Sequence, residues 1–205
     1  MYFSKNNVGI NLNKGTFNCV LYPVVMANNY YYGVYASNNS LVYNVQGVTF
    51  GKSFAIYNSN NGIYVSQGSN CFVSNGSFTR MQNGINANNG SYAEITSTKI
   101  DPVSNLASLT MGPYTGIYSD KTSNVVAFDI STTFPGNTGP TANAQFRVGN
   151  YSNFTVGSAS GAALVSNYGN GNIIIDTTKT TTVDPTSLGS NNYQSNRQPL
   201  PPDDA

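Results

Sequence analysis

Four stretches of this chain resemble one another. They are GVYASNNSLVY from Gly33, AIYNSNNGIYV from Ala55, GINANNGSYAEI from Gly84 and GIYSDKTSNVVAFDI from Gly116. With the first residue of each as a register mark, the returns are 22, 29 and 32 residues. The position after the mark holds Val34, Ile56, Ile85 and Ile117, always a β-branched aliphatic. Next come Tyr35, Tyr57, Asn86 and Tyr118, then Ala36, Asn58, Ala87 and Ser119, then a polar turn. A chain that repeats side chains column by column at returns of about 20 to 50 residues is built by stacking.

After each turn the alternation resumes, as Leu41, Tyr43 and Val45, as Ile63 and Val65, as Tyr92 and Ile95 with one slip, and as Val126, Phe128 and Ile130. Short period-two runs between Asn, Gly and Ser clusters predict strands. Asn and Gly accept left-handed backbone angles cheaply, which suits the corners between them. No stretch has a 3.6-residue period, so the chain is expected to be all-β. Two or three short strands per return predict a β-solenoid of about four to six coils. One coil cannot bury its inward residues, and stacking the next buries them continuously. A β-sandwich also spaces strands regularly, but it has no reason to repeat side-chain identity.

Residues 31–185 are read as this solenoid, with irregular last coils, and 1–30 as an N-terminal strand or cap. Unequal returns imply loops leaving from one corner, such as Asp101 to Thr115. Residues 186–205 are read as a Pro-rich extended or disordered tail, because Pro199, Pro201 and Pro202 bring no ladder donors.

Only 8% of the 205 residues are charged, the net charge is +1 and there is no His. Nine Lys and Arg, spread singly, make no patch for a phosphate backbone, so nucleic-acid binding is not expected. No long apolar run predicts a membrane span, and no leader is visible at the start. Fifteen Tyr and ten Phe argue for a folded chain. Cys19 and Cys71 lack metal spacing and are expected to be buried free thiols, with no metal or cofactor.

The coils GIYVSQGSNCFVSNGSFTRMQNGI and GINANNGSYAEITSTKI resemble the right-handed parallel β-helices of bacteriophage tail fibres and tailspikes, above all the Asn/Ser/Tyr-rich fibres of marine phages. The likeness covers Gly33 to Ile130. It implies that the solenoid is a right-handed parallel β-helix. It also implies a virion surface protein, commonly a homotrimer, sitting among other virion tail proteins and contacting host-cell glycans. A cell-surface adhesin or filament subunit, extracellular rather than virion-borne, is the alternative.

Some such proteins cleave glycans, which normally takes two carboxylates about 5 to 10 Å apart. Near the coils lie Glu94, Asp101, Asp120 and Asp129. Glu94 is ten residues past its mark and Asp120 four past its own, so they occupy different columns. Asp129 is thirteen past Gly116, opposite Ser97, which makes Glu94 and Asp129 the pair of neighbouring coils closest to meeting. Scattered solubilising acids are the competing reading, and no enzyme is expected. Tyr35, Tyr57 and Tyr118 should point outward where Val34, Ile56, Ile85 and Ile117 point in. Glycan contact, an oligomer interface and plain surface stacking all remain open for that column.

Overall fold

The computed structural model describes residues 2–4, 6–18, 25–27, 29, 31–46, 49–51, 61–79, 83–101, 115–132, 144–157, 159–160, 165–167, 172–175 and 193–195. Every element among them is a strand, and every described strand pairing is parallel. A β-sandwich would pair its strands antiparallel. The protein is all-β, with parallel sheets.

Numbered along the chain, the strands fall into three ladders. The first is a seven-stranded sheet of β2 (Val8–Asn13), β5 (Tyr32–Ser37), β8 (Asn61–Val65), β11 (Asn83–Ala87), β13 (Thr115–Ser119), β15 (Ala144–Val148) and β18 (Val165–Asn167). The second holds β3 (Thr16–Asn18), β6 (Leu41–Gln46), β9 (Asn70–Ser74), the front of β12 (Tyr92–Asp101) and of β14 (Asn124–Thr132), then β16 (Asn153–Val156), β19 (Asn172–Ile175) and β20 (Tyr193–Ser195). The third holds β1 (Tyr2–Ser4), β4 (Val25–Ala27), β7 (Thr49–Gly51), β10 (Ser77–Thr79), the ends of β12 and β14, and β17 (Ala159–Ser160). From β5 to β14 the chain visits first, second and third ladder in turn, and each strand pairs with its counterpart of the following visit.

This stacking explains the core. Val34, Ile63, Ile85, Ile117 and Phe146 stand in register on the first ladder, and none is exposed. The second ladder sends in Val42, Cys71, Ala93, Val125, Phe154 and Ile173, and the third Phe78 and Ile100. Cys71 is fully buried and free, and burial pushes its thiol far above the usual range. Cys19 lies outside the described residues.

The expected spine is corrected at one rung. Between Val34 and Ile85 stands Ile63, not Ile56, which with Tyr57 lies outside the described residues. The returns along the spine are therefore 29, 22 and 32 residues, the first two in reverse of the expected order. The residue before the aliphatic explains the choice. A Cβ on Gly62 would lie 2.6 Å from Phe78 Cδ1 and 2.7 Å from Gly84 O, and one on Gly84 would lie 2.6 Å from Gly116 O. Glycine lets these rungs approach so closely, and Ala55 would bring a methyl into that contact.

Six residues after the spine comes a buried serine: Ser40, Ser69, Ser91, Ser123 and Ser152. Its hydroxyl oxygen accepts a backbone N–H from the rung before, Ser40 N to Ser69 Oγ at 3.1 Å, Ser91 N to Ser123 Oγ at 3.1 Å and Ser123 N to Ser152 Oγ at 3.2 Å. Two successive left-handed residues precede most of these serines, as in Asn38 (φ 56°) and Asn39 (φ 60°). The second corner takes one such residue, at Asn75, Ser97 and Asp129. These bends are why Asn and Gly punctuate the strands.

Strands β2, β3 and β4, from the segment read as strand or cap, enter the three ladders as a further rung, and β1 pairs with β4 beyond it. In the segment read as tail, Tyr193–Ser195 pairs with β19. Pro199, Pro201, Pro202 and residues 102–114 lie outside the described residues.

Candidate functional site

The outer side of the first ladder carries three columns. The glycine and the aliphatic both turn inward, so the residue before that pair faces out together with the residue after it. One column holds Tyr32, Asn61 and Asn83; the next Tyr35, Tyr64, Asn86, Tyr118 and Arg147; the third Ser37, Ser66, Asn88 and Asp120. Of the expected outward tyrosines, Tyr35 and Tyr118 share the middle column, and Tyr64 holds the rung assigned to Tyr57.

In the lower half, Tyr35 and Tyr64 stack with centroids 5.4 Å apart and planes 3° from parallel. Tyr32 leans on both at 5.1 and 5.3 Å. Such pairs add attraction beyond the area they bury. Burial raises the Tyr32 hydroxyl pKa, helped by Tyr35. Burial also raises that of Tyr64, against the opposing hydrogen bond with Ser66. Both phenols are therefore neutral at ordinary pH. Above them an amide ladder takes over. Asn61 Oδ1 accepts from Asn83 Nδ2 at 2.9 Å and from Asn86 Nδ2 at 3.4 Å.

The upper half centres on a carboxylate. Asp120 is 5% exposed, and it accepts from the Tyr118 hydroxyl at 3.0 Å and from Asn150 Nδ2 at 2.9 Å. The Arg147 guanidinium lies over the Tyr118 ring, 6.0 Å from its centroid. Burial lowers the Arg147 pKa, and Asp120 pulls it back up. Between the two halves, Asn86 Oδ1 and Asn88 Oδ1 are buried acceptors with no hydrogen-bond donor among the described residues.

Glu94 and Asp129 lie elsewhere, on the 13-stranded sheet. Glu94 stands between Phe72 and Val126 on the second ladder and accepts from the Tyr92 hydroxyl at 3.1 Å. Asp129 is level with Ser97, whose hydroxyl donates to it at 3.0 Å. Three residues of strand, about 10 Å, separate the level of Glu94 from that of Ser97. Each carboxylate is thus engaged by its own hydroxyl. Among the described residues no three acidic or thiol side chains gather to hold a metal ion.

Sequence reasoning passed over Tyr64, Asn88 and Arg147 as members of this face. The signal that finds Tyr64 and Asn88 is the pair of fixed letters, a glycine before the spine residue and a serine six after it; the rung of Arg147 keeps only the serine, Ser152. Compared with family models, curated proteins and solved structures, the chain matches none.

Proposed function

We propose that this chain is a structural and receptor-binding element of a virion appendage, of the tail-fibre or tailspike kind. On this reading the three ladders wind as one right-handed β-helix, three copies associate, and the outer face of the first ladder contacts host-surface glycans. The observation that carries it is that face itself: tyrosine rings and amides share an in-register stack whose charged members are Asp120 and Arg147. Aromatic faces pack on the C–H surfaces of sugar rings, while amides and hydroxyls exchange hydrogen bonds with sugar hydroxyls.

The reading is of binding without turnover, since Glu94 and Asp129 are engaged separately. It is tested by sedimentation equilibrium together with pull-down of surface polysaccharides prepared from a panel of marine bacteria. The expected result is three copies per particle and retention of at least one polysaccharide at unchanged chain length. A stable monomer that retains none would overturn it.

A further inference from the structure

We propose that Asn86 and Asn88 form the floor of a pyranose-binding cleft whose walls are Tyr64 and Tyr118. This rests on the glycan-binding reading above and gives it a place and a chemistry.

Asn86 and Asn88 occupy outward positions of one rung, yet each is only 7% exposed. Asn86 sits in register between Tyr64 on the rung below and Tyr118 on the rung above. A short amide between two large rings is sheltered by them. Among the described residues, nothing donates to the Oδ1 atoms of either asparagine. The neighbouring backbone cannot serve them, because Asn88 N already donates to Val65 O and Asp120 N to Ala87 O. Buried acceptors without a donor among the described residues are open to one from outside the chain.

The surroundings define that donor. The nearby charges, Asp120 and Arg147, are opposite in sign and attract each other, which suits a neutral partner. Two rungs of about 4.8 Å put the backbones of Tyr64 and Tyr118 about 9.6 Å apart. A flat ring touching both walls at about 3.5 Å spans only about 7 Å. A puckered saturated ring, with C–H groups on both faces and hydroxyls on its rim, fills the wider gap. A neutral, puckered, hydroxyl-bearing ring is a pyranose. Admission requires one tyrosine ring to swing about χ1, a fast motion for a partly exposed side chain.

The test uses the full chain with 15N-labelled asparagine, following the side-chain amide signals of Asn86 and Asn88. Methyl glycosides of glucose, galactose, mannose and N-acetylglucosamine are titrated in turn, then their fully O-methylated forms, then calcium chloride. At least one methyl glycoside should move both signals, and its O-methylated form, which keeps the ring but lacks O–H donors, should move neither. Tyr64→Ala and, separately, Tyr64→Leu should weaken the response about tenfold, with the Asn70 and Asn153 signals reporting an intact fold. If no glycoside moves these two signals, the cleft is overturned. Polysaccharide retention in that case leaves the glycan reading standing with its contact elsewhere, and lost retention removes both. Movement with calcium chloride alone assigns the oxygens to a cation and also overturns the cleft.

Discussion

The corner that joins the first ladder to the second and the corner that returns from the third to the first obey different rules. From Val34 onward, the chain takes eight residues from each spine residue to the first inward residue of the second ladder: Val34 to Val42, Ile63 to Cys71, Ile85 to Ala93, Ile117 to Val125, Phe146 to Phe154 and Val165 to Ile173. From the third ladder back to the spine it takes 13 residues from Phe50, 7 from Phe78, 17 from Ile100 and 14 from Thr132. From Ser40 to Ser152 this constant corner carries a file of buried serines whose hydrogen bonds link rung to rung and hold its length; the first rung, Ile10 to Phe17, lacks the serine and is one residue shorter. The variable corner is free to lengthen because its closure cost grows only slowly with length. Repetition in this protein is therefore a property of one corner and two faces, and length variation is confined to the rest.

The sharpest way to break the contrast is to insert residues at both corners. One alanine between Asn89 and Gly90 shifts the strand after it by one position and turns its inward set outward. Its expected cost is at least about 3 kcal/mol in urea unfolding. Three Gly/Ser residues after Ala107 should cost less than about 1 kcal/mol. Equal losses at the two corners would remove the distinction. Next in size is Gly84→Ala, which drives a methyl against the Gly116 carbonyl of the following rung. A loss of about 2 to 3 kcal/mol is expected, and a neutral result would mean that the rungs have room to part. Ser123→Ala removes the acceptor of Ser91 N and should cost about 1 to 2 kcal/mol.

The smallest effect concerns the tyrosine stack beside the constant corner. Burial raises the Tyr32 and Tyr64 hydroxyls above their ordinary value of 10.0, so the folded state holds these protons more tightly than the unfolded chain. The stability they contribute is fully present below pH 10 and is lost as pH rises through the higher folded values. The urea midpoint should fall in that range, and Tyr64→Phe should shallow the fall. An unchanged slope would show that the stack opens before it titrates.

Much of this was legible in the letters. Val34, Ile85 and Ile117 fall in one column because each follows a glycine and precedes a polar turn. The rung at Ile63 was misread because AIYNSNN imitates the same alternation seven residues too early. Alternation alone cannot separate the two, and the backbone contact that forbids Ala55 is invisible until strands are stacked. Phe146 hid its rung by replacing an aliphatic, with Gln145 where the others have glycine. Val8–Asn13 hid behind a shorter turn without the serine. The site was legible only through its aromatic letters. Asn86 and Asn88 look like any other asparagine in so Asn-rich a chain, and what sets them apart is burial without a donor among the described residues.

Everything depends on which isoleucine stacks beneath Ile85. Methyl-labelled protein answers this through nuclear Overhauser contacts between isoleucine side chains. The account predicts cross-peaks linking Ile63 to Ile85 and Ile85 to Ile117. Cross-peaks from Ile56 to Ile85, with none from Ile63, would contradict it.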